Sequence, residues 1–260
     1  LNSGQVFLVN QAQGFNWQDY TVHDKVHPNK AGAEKMATVW FEALKKVLAS
    51  SETVFSPEIV RYKTLEDGDS LALHIFKPRN MQAGEKRPAI VYFFGGGWKL
   101  GTPIQFYREC AYYASKGMVA VSVDYRIGYL HHSTPFESFE DAKDAICWLR
   151  SHASDYQLDP DKIAVAGGSA GGHLAAALGT IGSDETVPAG YRPNLSVLYY
   201  PVIDMVSRGY GFPEIKRDFE KISPIHHVSE ATPSTLILLG TKDPIVSVET
   251  IEAYQDKLLQ

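Results

Sequence analysis

The chain has 260 residues, 44% of them hydrophobic, enough for one sizeable core or for one domain and a piece of another. Its formal net charge of -5 and the lack of any Lys/Arg cluster argue against a nucleic-acid partner, because phosphate binding needs a basic face. No stretch is long and apolar enough to suggest a membrane partner, and the two cysteines, Cys110 and Cys147, fall in helix-periodic segments without metal-ligand spacing.

In chain order, Val6 to Val9 is strand-like and Asn10 to Pro28 is polar and irregular. Met36, Val39, Trp40, Ala43, Leu44, Val47 and Leu48 then describe one face of a helix over Ala31 to Ala49. Ser50 to Pro57 reads as a linker, so the chain divides into a segment 1–50 and a main domain 51–260. That domain opens with a hairpin, Ile59 to Tyr62 and Leu71 to Phe76, joined through Glu66-Asp67-Gly68-Asp69. Strands follow at Ala89 to Phe94, Val119 to Val123, Ile163 to Ala166, Leu195 to Tyr200 and Thr235 to Leu239. Helices alternate with them at Ile104 to Ser115, Phe136 to His152, Gly171 to Leu178 and Val246 to Leu259. Short apolar strands separated by amphipathic helices imply a mostly parallel, doubly wound α/β sheet covered on both faces.

Gly167-Gly168-Ser169-Ala170-Gly171-Gly172 joins an apolar strand to a helix. A strand, a sharp turn and a helix hold a serine hydroxyl proud of a parallel sheet, with glycines where a Cβ would collide. Phe94-Gly95-Gly96-Gly97-Trp98 follows the first parallel strand directly. Consecutive glycines let backbone N–H groups approach a substrate oxygen, so Gly95, Gly96 and the N–H of Ala170 are the candidate oxyanion hole. A phosphate cradle is the competing reading of the glycines, but no Lys-Ser/Thr follows them and no Gly-x-Gly-x-x-Gly spacing is present. Asp243, in Gly240-Thr241-Lys242-Asp243-Pro244, sits just past a buried strand at the same sheet edge, either as an orienting carboxylate or as a turn and helix-cap residue.

These residues resemble the α/β-hydrolase fold, in its hormone-sensitive-lipase-like and acetyl-esterase branch, over about residues 58–260. Further matching features are Asp124-Tyr125-Arg126 and Thr134-Pro135-Phe136-Glu137 leading into a helix with Asp141-Ala142. Two positions depart from the branch: Phe94 stands where histidine is usual, and Gly168 where aspartate is common. The resemblance implies ester hydrolysis through an acyl-enzyme on a small-molecule or carbohydrate ester such as an acetylated sugar, with Ser169 as nucleophile and Asp243 as orienting acid; metal ions and other cofactors have no support in the sequence.

The resemblance also implies a histidine base on a strand and loop after the last helix, where this sequence stops at Gln260. At the other end, Asp24-Lys25-Val26-His27-Pro28-Asn29 before an amphipathic helix resembles the last block of SGNH (GDSL-type) hydrolases over about residues 5–49, in which an Asp-x-x-His pair supplies two members of the triad. Three arrangements are open. In the favoured one the chain is an internal piece of a longer protein, with residues 1–50 the C-terminal fragment of an SGNH-type hydrolase. In the second the N-terminal segment brings His27, or less readily His23, to Ser169. In the third the scaffold binds without catalysis.

Overall fold

The computed structural model describes residues 16–20, 29–50, 56–182, 189–205 and 218–260. The chain separates into two compact units, Leu1–Val54 and Phe55–Gln260. In the first, α1 (Trp17–Tyr20) and α2 (Lys30–Ser50) are joined by Asn29. Its Oδ1 accepts from Gly32 N–H at 2.9 Å, capping α2, while its Nδ2 donates to Asp19 O at 2.9 Å. The strand expected at Val6 to Val9 and the candidates His23, Asp24 and His27 lie outside the described residues.

In the second unit seven strands form one sheet in the order β1-β2-β4-β3-β5-β6-β7. They are β1 Glu58–Thr64, β2 Ser70–Phe76, β3 Arg87–Phe93, β4 Val119–Val123, β5 Leu158–Gly168, β6 Leu195–Tyr199 and β7 Ser234–Leu238. β1 and β2 form the expected antiparallel hairpin and β2 meets β4 antiparallel, whereas every pairing from β4 to β7 is parallel. β4 is buried along its whole length, which is why it reads as a continuous apolar run rather than an alternation.

Among the described residues of this unit the α-helices are α3 Tyr107–Ser115, α4 Gly128–His131, α5 Pro135–Ser151, α6 Ala170–Thr180, α7 Phe219–Ile222 and α8 Val248–Leu258. The helix expected over Ile104 to Ser115 is divided into a 3-10 turn, Pro103–Phe106, and α3. Pro103 opens the turn and Phe106, at φ -109 and ψ 14, leaves helical geometry to bury its ring. α4 and α7 span four residues each, too short to imprint a 3.6-residue period, so the sequence pattern passes over them. At the start of α5, Thr134 and Glu137 satisfy each other's backbone N–H groups in a capping box. Every residue of α6 is buried, and its run of alanine and glycine lets it lie close on the sheet.

The packing of α6 makes His173 a structural residue. Nε2 donates to Ile222 O at 2.7 Å, and the ring meets Trp98 edge-on at 5.0 Å. Burial holds its pKa down to about 4. A base with a folded pKa below its unfolded value stabilises the fold above the unfolded pKa and loses that contribution as pH falls through the window from about 6.5 to about 4. The expected loss across that window is about 3 kcal/mol. His173→Gln, which keeps a donor for Ile222 but does not titrate, should flatten the pH dependence of urea-unfolding free energy between pH 6.5 and 4. A slope equal to that of the parent would refute the assignment.

Candidate active site

The connectivity places the site. From β3 the chain crosses through α3 to β4 on one side, and from β5 it crosses through α6 to β6 on the other. β3 and β5 are neighbours, so the loops leaving their carboxyl ends part in opposite directions and open a crevice between them. The β3 loop carries Gly95 to Gly97, and the β5 loop carries Ser169.

Ser169 is the N-cap of α6 at φ 54 and ψ -118, a conformation that glycine adopts readily and a serine adopts only under constraint. The constraint is backbone hydrogen bonding on both sides: Ser169 N–H donates to Tyr199 O at 3.0 Å, and its carbonyl accepts from His173 N–H at 2.9 Å. The close turn also needs glycine after it, since a Cβ on Gly171 would stand 2.0 Å from Phe93 O and 2.4 Å from Phe94 O. The side chain of Ser169 is partly exposed, and its Oγ has no hydrogen-bond partner among the described residues.

The three candidate oxyanion donors do not stand alike. Ala170 is the first residue of α6, so its N–H has no intrahelical acceptor and points from the positive end of the helix. Gly96, partly exposed at φ 139, has an N–H without an acceptor among the described residues. The Gly95 N–H, expected to face a substrate oxygen, instead donates to Gln105 Oε1 at 2.6 Å. Gly95 N–H is thus committed to a side chain whose part the sequence motif does not disclose, whereas the N–H groups of Gly96 and Ala170 are not.

Both departures from the hydrolase pattern have local causes. Phe94 is fully buried and stacks on Tyr125 at 4.1 Å, and Tyr125 Oη donates to Phe94 O at 2.6 Å. The position before the glycines is therefore a core position in this chain. At Gly168, a Cβ would lie 2.9 Å from Tyr200 Oη, so any side chain there would have to displace the tyrosine ring.

Asp243 follows β7, two strands from β5 at the same edge of the sheet, in register through Gly168↔Tyr199 and Tyr199↔Leu238. Its Oδ1 accepts from Ile245 N–H and Val246 N–H, each at 2.9 Å. Those bonds, led by Val246, hold its pKa below the usual aspartate value. The N-cap of α8 is Ser247, whose side chain accepts from Thr250 N–H. Oδ2 of Asp243 has no partner among the described residues.

Among the described residues no histidine bonds to Ser169. His131 Nδ1 accepts from Ile127 N–H, His152 stacks on Trp148 at 3.9 Å, and His227 Nε2 bonds to Glu220 O. His74 bonds to Tyr107, His226 lies 3.8 Å from Asp204, and His132 ends α4.

Residues 73–207, more than half of the sequence, match the model of the BD-FAE family. The chain belongs to that family. The BD-FAE assignment agrees with the structural comparison: the native thermophilic esterase Est2 of Thermogutta terrifontis superposes with a TM-score of 0.72 at 34% identity, covering 78% of this chain and 77% of that one. Est2 has also been solved with propionate and with butyrate bound. Esterase LipC of Mycobacterium tuberculosis is 28% identical over 223 residues, 74% of this chain and 53% of its own length. An acetylxylan esterase of Xylanibacter ruminicola is 26% identical over 201 residues, 72% of this chain and 39% of its own length. The chain thus spans about half the length or less of these curated relatives, which are esterases, as are the structural neighbours, whose fold is the α/β-hydrolase fold.

Proposed function

We propose that this chain is the hydrolase domain of a serine carboxylesterase that cleaves short acyl esters, acetylated carbohydrates among them. The observation that carries the reading is Ser169: a strained, partly exposed hydroxyl at the N-terminus of a buried helix, in the crevice where the sheet connections diverge. Its Oγ attacks the ester carbonyl and passes its proton to an imidazole. The Gly96 and Ala170 N–H groups hold the resulting oxyanion, and collapse expels the alcohol with that proton. Water then attacks the acyl-serine by the same route and releases the acid.

Asp243 is assigned as the carboxylate that orients the imidazole, through the oxygen not engaged by the turn. Propionate and butyrate bound to Est2 support a short acyl chain, and the acetylxylan esterase supports a carbohydrate alcohol.

The test compares the intact protein on p-nitrophenyl acetate, butyrate and octanoate and on acetylated xylan. We expect acetate or butyrate to give the highest kcat/KM, octanoate to trail by about tenfold or more, and acetate to be released from xylan. A preference for octanoate would overturn the acyl assignment, and no turnover of any ester would overturn the esterase reading.

A further inference from the structure

We propose that Gln105 is a positioning residue of the oxyanion loop, acting through the Gly95 peptide. The inference rests on the esterase reading above. Gln105 lies in the 3-10 turn Pro103–Phe106, which is fixed on both sides of it. Pro103 is buried and its carbonyl accepts from Ser122 Oγ at 2.7 Å; Phe106 is buried and stacks on Tyr92 at 4.8 Å. From this anchored turn the exposed residue Gln105 sends its carboxamide back to the β3 loop, where Oε1 accepts the Gly95 N–H at 2.6 Å. The contact is next to the chemistry. A Cβ built on Gly95 would stand 3.6 Å from Gln105 Oε1 and 3.5 Å from Ser169 Cβ.

The physical need for such a tether follows from the glycines. Gly95, Gly96 and Gly97 have no side chains to restrict their dihedrals, so an untethered loop would sample many directions for its N–H groups. An oxyanion hole accelerates the reaction only if its donors are aimed before charge develops. By fixing the Gly95 N–H away from the oxyanion, Gln105 sets the peptide that leads into Gly96 and leaves the Gly96 and Ala170 N–H groups as the working pair. The rival arrangement is a plug, in which Gln105 blocks a third donor that substrate must free. The two give opposite signs on mutation.

The experiment measures kcat and KM on p-nitrophenyl acetate for the intact protein and for Q105A, Q105N and Q105E, with thermal midpoints as a folding control. Loss of the tether should lower kcat about tenfold in Q105A while KM stays within about twofold and the midpoint is unchanged. Q105N, one methylene too short, should behave like Q105A. Q105E keeps an acceptor for Gly95 but sets a negative charge beside the forming oxyanion. Its kcat relative to the parent, taken at each pH, should be lowest at pH 8 and climb as the carboxylate is protonated. An unchanged or increased kcat in Q105A would overturn the proposal, as would a Q105A whose only change is a lower thermal midpoint. An inactive parent would overturn the esterase reading and with it the role given to Gln105, an outcome distinct from an active parent with an indifferent Q105A.

Discussion

Replacing Ser169 with alanine is expected to lower ester hydrolysis by the intact protein about 10⁴-fold or more, to the level that oxyanion binding alone sustains. The prediction is specific because the substitution should leave the fold alone. The bonds that hold residue 169 come from its backbone, to Tyr199 and His173, and its Oγ bonds to nothing among the described residues. Ser169→Ala should therefore unfold at the parent's temperature. Ser169→Gly separates strain from chemistry. Glycine relieves the φ 54, ψ -118 conformation, so that variant should be equally inactive yet about 1 kcal/mol more stable by urea unfolding, after the entropy of glycine in the unfolded chain is offset. Retained turnover in Ser169→Ala would move the nucleophile elsewhere. A less stable glycine variant would refute the strain.

The elbow was legible in the sequence because its chemistry and its backbone demand the same residues: glycines beside a serine between an apolar strand and a helix have few other uses. The strands of the parallel sheet were legible because burial on both faces leaves continuous apolar runs, as in β4. Gln105 was not. It lies in a turn whose periodicity merges with the helix after it, and no motif marks a glutamine that reaches ten residues back to a peptide N–H. Asp243 was legible only as two alternatives, and the structure shows why: one carboxylate oxygen serves the turn while the other is left over. Phe94 and Gly168 read as departures from a family pattern, whereas their causes, Tyr125 and Tyr200, lie in the loops after β4 and β6, which no local window joins to them.

The same loop system depends on a buried charge. Asp141 on α5 is fully buried and accepts from Lys63 Nζ at 2.6 Å on β1, and from Arg126 N–H, Nε and a terminal nitrogen at 2.9, 2.8 and 2.8 Å. It thereby fastens the outer hairpin, the loop after β4 and α5 to one another. Asp141→Ala would leave the Arg126 guanidinium and backbone N–H without their carboxylate, while Lys63 would keep Asp144 Oδ2 at 2.6 Å. Breaking a buried pair costs about 3–5 kcal/mol, but Lys63 keeps Asp144 and both cations retain 23% of their side-chain exposure, so part of it is recovered and the expected loss is about 2–4 kcal/mol. In a domain of this size that lowers the thermal midpoint by about 5–15 °C. Asp141→Asn keeps the shape and some of the acceptors and should lose about half as much. Because Arg126 adjoins Tyr125, whose hydroxyl holds the Phe94 carbonyl at 2.6 Å, loosening this anchor should also lower kcat at temperatures where the variant is still folded. Calorimetry and ester hydrolysis on the same preparations check both effects, and an Asp141→Ala protein as stable as its parent would show that the cluster contributes nothing net.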